Sequence, residues 1–158
     1  MDVLDEDLLS FWRTMNQYNV QYIMVGGLAT RFHGYNRTTD DIDIWIKDTI
    51  INRQNFRKAF SELGYGDYPS IETMEFVPGW TSFYAAGVEL DIMTTMKGLE
   101  DEDFDACYTM SNKAIIEGIE IPFLHINHLI ANKKAVNRPK DLLDVIYLEK
   151  IKEIKEEE

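Results

Sequence analysis

The chain has 158 residues, 45% of them hydrophobic, and its formal net charge is −12 at pH 7. This length suits one domain that buries its own core without disulfides. The acidic balance argues against broad electrostatic capture of nucleic acid, and no apolar run approaches the roughly 20 residues of a membrane span.

The N-terminal segment and the cysteine content both indicate the cellular compartment of the protein. The N-terminal segment MDVLDEDLL lacks the basic start of a secretory signal peptide. The single cysteine, Cys107, excludes an internal disulfide framework. We therefore expect a cytoplasmic protein that makes no contact with a membrane.

The first half of the chain alternates helical and extended patterns. Apolar residues at helical spacing predict helices, and β-branched or alternating runs predict strands. The predicted elements are a helix over 2–17, a strand over 20–25, a short helix over 28–33, a strand over 41–47 and a helix that buries Phe56, Ala59, Phe60 and Leu63.

The second half contains more hairpin-like patterns. We expect short strands over 74–77 and 81–85, a period-two strand over 88–94, loop with a little helix over 98–112, a hairpin over 114–124 that turns at Glu117-Gly118, and helices over 126–136 and 139–153. This order predicts an α+β fold, a mixed sheet with helices packed against it. The whole chain, 1–158, then forms one domain, with the helices of 126–153 packed on the sheet.

Aspartates alternate with isoleucines in the predicted strand over 41–47. Side chains two apart share one face of a strand, so Asp41 and Asp43 point the same way, with Cα atoms about 6.6 Å apart. Asp91, in the later strand VELDIMT, shares a face with Glu89. If the two strands are neighbours, Asp41, Asp43 and Asp91 converge.

Three carboxylates this close repel one another, and a cation removes that repulsion. Hard oxygen ligands suit Mg²⁺, and one or two such ions could act in phosphoryl-type transfer. A lone Asp-Ile-Asp is more often a strand with one solvated face. An EF-hand loop counted from Asp41 fails, because Ile46 stands where that loop needs glycine.

Two glycines, Gly26 and Gly27, end the strand over 20–25 and precede the short helix. Backbone N–H groups at such a turn can bind phosphate, although an ordinary strand-to-helix turn also explains an isolated pair. Neither GxGxxG nor GxxxxGK[ST] occurs, so the dinucleotide-binding and P-loop interpretations fail.

The order VGG, short helix, DDIDIWI and later LDIM resembles the nucleotidyltransferases of the DNA polymerase β superfamily. The stretches GLATRFHG, RTTDDIDI and LIANKKAVNRPKDLLDVIYL are similar to small bacterial proteins of that superfamily, of the abortive-infection and toxin type, and to some antibiotic nucleotidyltransferases. The similarity covers 22–46, 88–93 and 124–148.

The resemblance implies roles for the residues that match these motifs. Gly26 and Gly27 would hold a nucleoside triphosphate, and Asp41 and Asp43 would ligate the metals. Asp91 would complete the metal site and help to activate the acceptor hydroxyl as a general base.

Polar and cationic positions of the family also match. Arg37 and Thr39 fall where the family has Arg-x-Thr before its aspartates, which implies phosphate-binding or site-shaping contacts. Lys133 matches the family lysine, and Lys140 with Asp141 matches its Lys-Asp. A lysine there would neutralise charge on the triphosphate.

The resulting hypothesis is an enzyme that transfers a nucleoside monophosphate from an NTP to a hydroxyl acceptor, a small molecule or a protein, with Mg²⁺ and release of pyrophosphate. The alternative is a non-catalytic nucleotidyltransferase fold that binds a partner protein, as in a toxin–antitoxin pair. A third hypothesis, modification of a tRNA end, is disfavoured by the net charge, which makes nucleic acid an unlikely partner.

Other conspicuous residues have simpler explanations. His125 and His128 are three apart, but no cysteine or carboxylate follows at ligand spacing, so we expect no zinc site. We expect Asp141 and Asp144 to be structural, in caps or ion pairs. Trp45 shares the aspartate face and could stack on a base, although a core or rim position is commoner, and Trp80 with Tyr84 could line an acceptor pocket.

Overall fold

The computed structural model describes residues 1–157, which form a mixed six-stranded sheet with helices on both faces. The strands are β1 (Tyr22–Val25), β2 (Asp41–Ile46), β3 (Ser82–Ala85), β4 (Val88–Met93), β5 (Asn112–Ile116) and β6 (Ile119–Phe123). The helices are α1 (Glu6–Gln17), α2 (Gly26–Phe32), α3 (Ile50–Glu62), α4 (Phe104–Met110), α5 (Ile126–Val136) and α6 (Pro139–Glu157), with a 3₁₀ turn at Pro69–Glu72.

The strand order across the sheet is β3-β4-β2-β1-β6-β5. Strand β2 pairs in parallel with β4 and antiparallel with β1, while β1 pairs in parallel with β6. The outer strands β3 and β5 are antiparallel to their neighbours. The predicted α+β class and mixed sheet are therefore confirmed, and the strands of the two Asp-containing motifs are neighbours.

One face of the central strands is fully apolar. Ile42, Ile44 and Ile46 are completely buried, and Tyr22 lies opposite Ile46 in the β1–β2 register. Trp12 of α1 stacks on the Tyr22 ring with centroids 5.6 Å apart, so α1 covers this isoleucine face. Because side chains alternate along a strand, Asp41 and Asp43 must occupy the other face.

Several predicted boundaries shift for local reasons. Helix α1 begins at Glu6 rather than at residue 2, because the Asp5 carboxylate caps it by accepting from the N–H groups of Asp7 and Leu8. Helix α2 begins at Gly26 itself, so the glycines form its first turn instead of preceding it.

The strand predicted over 74–77 is wrong, since that segment has no strand partner. Arg53 donates to the Met74 carbonyl, the Thr81 hydroxyl accepts from the Val77 N–H, and the Arg53 guanidinium lies over the Phe76 ring, 4.7 Å from its centroid. Phe76, an apolar residue of this segment, is buried and contacts the Arg53 side chain, although the segment does not pair as a strand.

The hairpin prediction is confirmed, with strands β5 and β6 joined at Glu117 and Gly118. Both turn residues have positive φ, of 50° and 77°, as a tight type I′ turn requires. The ambiguous region 98–112 contains α4, which begins where the Asp103 carboxylate caps the Ala106 N–H. No helix within residues 1–157 combines the length and apolar character that crossing a bilayer demands.

Candidate active site

The acidic residues of β2 and β4 come together on one face of the sheet. In the parallel register Asp43 lies opposite Asp91, and Asp41 lies opposite Glu89. The convergence expected from the alternating pattern is therefore present, with Glu89 as a fourth carboxylate that the motif comparison did not select.

The surroundings of these carboxylates disfavour their charged forms. Burial, with the nearby charges of Asp91 and Asp41, raises the pKa of Asp43 to about 7. Burial also raises the pKa of Asp91, against the effect of the Gly79 N–H that donates to its Oδ2 at 2.9 Å. The Oδ1 atom of Asp91 is buried and has no hydrogen-bond partner among the described residues.

The two glycines lie against the side chains of this site. A Cβ on Gly26 would sit 2.2 Å from Oδ2 of Asp43, and the φ of Gly26 is +70°. A Cβ on Gly27 would lie 2.9 Å from the Thr39 hydroxyl oxygen and 3.3 Å from an Arg37 nitrogen. Only a residue without a side chain allows α2 to begin so close to the carboxylates.

The carboxylates open into a cavity of about 530 Å³ that is also lined by α5 and the start of α6. Its acidic lining comes largely from the sheet, and its basic lining comes mostly from the loops and helices above the sheet. The basic residues are Arg37, Lys97, Lys133, Arg138 and Lys140. Such a cleft has one region suited to cations and another suited to anions.

Some of these basic groups already have buried partners. The ammonium of Lys133 lies 2.8 Å from Asp144 and 3.5 Å from Asp141, and all three side chains are almost fully buried. The Arg37 guanidinium pairs with the same Asp144 carboxylate, and Arg138 pairs with Asp141 at 2.6 Å. The prediction that the two aspartates are structural ion-pair residues is thus confirmed.

The remaining predicted site residues differ in exposure. Thr39 is buried beside Gly27, and its hydroxyl lies 3.4 Å from the Asp41 carbonyl. Lys140 is exposed at the cavity, close enough to Asp43 to oppose the rise of its pKa, and no carboxylate among residues 1–157 lies within salt-bridge distance of its ammonium. Lys140 and Lys97 are therefore the lysines of this cleft whose charges are available to a ligand.

The donor set fits a magnesium ion. All of the converging groups are hard carboxylate oxygens, and Oδ1 of Asp91 is a buried acceptor without a hydrogen-bond partner within residues 1–157. A cation at this point would satisfy that atom and relieve the repulsion that raises the pKa of Asp43. Asp41, Asp43 and Asp91 are the residues that would hold it.

The three aromatic candidates differ in their exposure to solvent. Trp45 is in the core, where its ring meets Phe104 edge to face and its Nε1 donates to the Thr94 carbonyl, so base stacking by Trp45 is excluded. Trp80 and Tyr84 are 86% and 78% exposed, next to Gly79 and opposite Glu89 respectively. Neither residue lines the cavity itself, but each adjoins a residue that does, Gly79 and Glu89 respectively.

The histidine pair has neighbours that sequence spacing did not reveal. Glu102 and Cys107, from the turn before α4 and from α4 itself, lie beside His128. The spacing along the sequence, from which we expected no zinc site, therefore did not reveal the cysteine and carboxylate that lie near His128 in space. The contact is tertiary, between segments about twenty residues or more apart, and no local motif announces it.

A second and larger cavity, of about 1010 Å³, opens at the other end of the sheet, near Tyr22 and Lys47. Glu120 is the one carboxylate among its lining residues. The chemistry-bearing groups are at the smaller cavity, which we therefore take as the candidate active site.

No protein-family model matches the sequence, and no curated protein sequence matches it. Several solved structures, however, match the structure of this chain. A protein of Thermotoga maritima assigned as a nucleotidyltransferase matches with a TM-score of 0.57 at 19% identity, over 96% of this chain and 91% of that one. The antibiotic-resistance enzyme ANT(2″)-Ia, in complex with adenylyl-2″-tobramycin, matches with a TM-score of 0.58 at 17% identity, over 92% and 90%.

An antigenic nucleotidyltransferase-like protein of Paracoccidioides brasiliensis matches with a TM-score of 0.53 at 18% identity, over 92% of this chain and 77% of that chain. The chain therefore has the nucleotidyltransferase fold, as the order of its glycine and aspartate motifs indicated. At these identities the likeness concerns the fold.

Proposed function

We propose that the protein is a Mg²⁺-dependent nucleotidyltransferase that transfers a nucleoside monophosphate from an NTP to a hydroxyl acceptor and releases pyrophosphate. The observation that carries this proposal is the convergence of Asp41, Asp43 and Asp91 beside Gly26. A cytoplasmic location, where NTPs and Mg²⁺ are available, belongs to the same proposal.

The charge distribution of the cleft supports it. An NTP brings an anionic triphosphate, and its divalent ion needs carboxylates, so the two parts of such a substrate require opposite charges in one cavity. The acidic lining of β2 and β4 and the basic lining near α5 and α6 provide that combination. A site for a simple cation or for a simple anion would need only one of them.

Each residue then has a distinct task. When bound, Mg²⁺ supplies charge neutralisation at the reacting phosphate. Gly26 and Gly27 let the phosphates approach the backbone, and Lys140 with Arg138 offsets their charge. Asp91 accepts the proton of the acceptor hydroxyl, a task that suits a carboxylate whose pKa is raised.

Lys133, Arg37 and Thr39 act mainly by shaping the cleft. The ammonium of Lys133 and the guanidinium of Arg37 share the Asp144 carboxylate, which ties α5, α6 and the loop before β2 together. Any phosphate contact by these two groups is made while they keep a buried partner. Thr39 packs between Gly27 and the start of β2.

The acceptor side is open. Trp80 and Tyr84 are exposed next to the carboxylates and would contact an acceptor rather than the nucleotide. The acceptor in this proposal is a hydroxyl compound, a small molecule or a protein.

The test is nucleotide binding measured by calorimetry with each of the four α,β-methylene NTP analogues, with and without Mg²⁺. We expect one analogue to bind in a Mg²⁺-dependent manner, and Asp43→Asn to abolish that dependence. The matched control is Asp40→Asn, which removes an exposed carboxylate three residues away and should bind like the unchanged protein.

The alternative function, a nucleotidyltransferase fold that only binds a partner protein, predicts the opposite. No analogue would bind in a Mg²⁺-dependent manner, and Asp43→Asn would behave as the unchanged chain does. That result would overturn the proposed activity.

A further inference from the structure

A second group of metal-ligating side chains lies outside the carboxylate cleft. Glu102, Cys107 and His128 each offer one ligand atom, and these atoms all lie within 4.8 Å of one another. None of the three lines the candidate active site. They come from the turn before α4, from α4 and from the first turn of α5.

One carboxylate oxygen joins the group in the metal-free structure. Oε2 of Glu102 lies 2.7 Å from Nε2 of His128 and accepts from the Cys107 thiol at 3.4 Å. The other ring nitrogen of His128, Nδ1, is buried without a hydrogen-bond partner among the described residues. Only the Nε2 atom of the His128 ring therefore contacts another member of the group.

We propose that Glu102, Cys107 and His128 bind a zinc ion, at a site separate from the one proposed for Mg²⁺. A tetrahedral zinc holds S, N and O ligands about 3.3–3.6 Å apart, given its bond lengths of about 2.0–2.3 Å. Glu102 Oε2 lies 2.7 Å from the His128 nitrogen and 3.4 Å from the Cys107 sulfur, and all three atoms are within 4.8 Å, so side-chain rotations can bring them onto one ion. The Glu102 side chain is 45% exposed, which leaves the fourth position to water.

The donor types separate this site from the cleft. A thiolate and an imidazole select zinc-like cations over Mg²⁺, whereas the all-carboxylate set of Asp41, Asp43 and Asp91 suits Mg²⁺. The two sites can therefore be loaded independently.

The local charge favours a cation at this position. The run from residue 100 to 105 contains five carboxylates, which give this surface a negative field. Burial and Glu102 raise the pKa of Cys107 to about 12, so the metal-free group keeps a thiol proton that binding must release. An ion at the position of that proton replaces it as the link to Glu102.

A zinc ion here would connect parts of the fold that the candidate active site depends on. Phe104, at the start of α4, packs on Trp45 of β2, the strand that carries Asp41 and Asp43. His128 is on α5, the helix that also carries Lys133. The ion would link the segment that contains Glu102 and α4 to α5.

The experiment is a titration of the reduced, metal-free protein with Co²⁺ as a spectroscopic substitute for zinc. The chain has one cysteine, so a cobalt–thiolate charge-transfer band can come only from Cys107. We expect the band to saturate at one equivalent and to disappear when Zn²⁺ is added. Asp43→Asn, which alters the cleft, should keep the band.

The variants test the other two ligands. Glu102→Gln and His128→Asn should each weaken cobalt binding by about tenfold or more, because each removes one direct bond. Asp101→Asn removes an equal charge from the neighbouring exposed position and should bind as the unchanged protein does. Absence of a thiolate band at excess Co²⁺, or a band that both ligand variants leave unchanged, would overturn the site and would leave the proposed nucleotidyl transfer unaffected.

Discussion

Asp43 and Asp91 lie directly opposite each other on the parallel strands β2 and β4. Cross-strand pairs of like charge are destabilising, and this pair is also largely removed from water. Burial is the largest cause of the raised pKa of both carboxyl groups, and neighbouring carboxylates add to it. Because these shifts make stability and metal affinity depend on pH, the site can be tested without knowledge of the acceptor.

The first prediction concerns stability without metal. The pKa of Asp43 is raised from 3.8 to about 7 in the folded protein, so the folded state holds this proton more tightly than the unfolded state does. The contribution of Asp43 to the free energy of unfolding is therefore most favourable below about pH 4 and is lost as the pH rises to about 7. Asp43→Asn should stabilise the metal-free protein by about 2 kcal/mol near pH 8 and by much less near pH 4.

Urea unfolding at the two pH values measures this difference, in the presence of a chelator. Asp40→Asn, at an exposed position, is the control and should change the free energy of unfolding by less than about 0.5 kcal/mol. A destabilised Asp43→Asn at high pH would mean that the carboxylate has a favourable partner in the folded state.

The second prediction concerns Mg²⁺ affinity. A metal ligand must be ionised, and Asp43 loses its proton at about pH 7 in the metal-free protein. Mg²⁺ should therefore bind about tenfold more weakly near pH 6 than near pH 8, and the gain should level off once Asp43 is ionised. Calorimetric titration with MgCl₂ gives the two dissociation constants.

The control for this titration is Glu102→Gln, which alters the proposed zinc site and should leave the pH dependence of Mg²⁺ binding unchanged. Equal affinities at both pH values would contradict the role of Asp43 as a ligand that ionises near pH 7.

The sequence predicted the central part of this arrangement because its signals are local. The period-two pattern of β2 places Asp41 and Asp43 on one face whatever the strand pairs with, and the resemblance to nucleotidyltransferases implied that Asp91 completes the site. The hairpin turn at Glu117-Gly118 is equally local. The strand face and the hairpin turn depend on residues a few positions apart, whereas the pairing of β2 with β4 joins the distant residues Asp43 and Asp91.

The parts that were missed depend on tertiary partners. Whether 74–77 pairs as a strand is decided by Arg53 and Thr81, and neither is marked by a pattern in that segment. The approach of Glu102 and Cys107 to His128 likewise depends on how α4 packs against α5. Gly79 donates to Asp91 across a loop, which no motif indicated.

The third prediction uses two glycines with nearly equal backbone angles. Gly26 and Gly118 have φ of +70° and +77°, but a Cβ on Gly26 would meet the Asp43 carboxylate at 2.2 Å, while a Cβ on Gly118 would meet nothing within 4 Å. Because both φ angles are positive, alanine at either position introduces backbone strain of about 1 kcal/mol. Only Gly26→Ala should also displace Asp43.

Thermal unfolding and nucleotide binding together separate the two effects. Gly118→Ala should lose about 1 kcal/mol of stability and bind the Mg²⁺–nucleotide analogue normally. Gly26→Ala should lose more stability and bind the analogue at least about tenfold more weakly, because the carboxylate moves. Normal binding by Gly26→Ala would mean that Asp43 and the first turn of α2 are not part of the nucleotide site.

The fourth prediction compares two lysines of the cleft. Lys133 is buried between Asp141 and Asp144, so Lys133→Met leaves buried carboxylates with less compensation and should destabilise the protein by about 3 kcal/mol. Lys140 is exposed, and Lys140→Met should change stability by less than about 0.5 kcal/mol. If Lys140 offsets the triphosphate charge, its removal should instead weaken analogue binding by about tenfold.

Lys134→Met is the control for a lysine on the same helix as Lys133, since Lys134 makes only an exposed pair with Glu149 and should affect neither quantity measurably. Urea unfolding and calorimetry on the three variants would contradict this division of roles if Lys133→Met were as stable as the unchanged protein, or if Lys140→Met bound the analogue equally well.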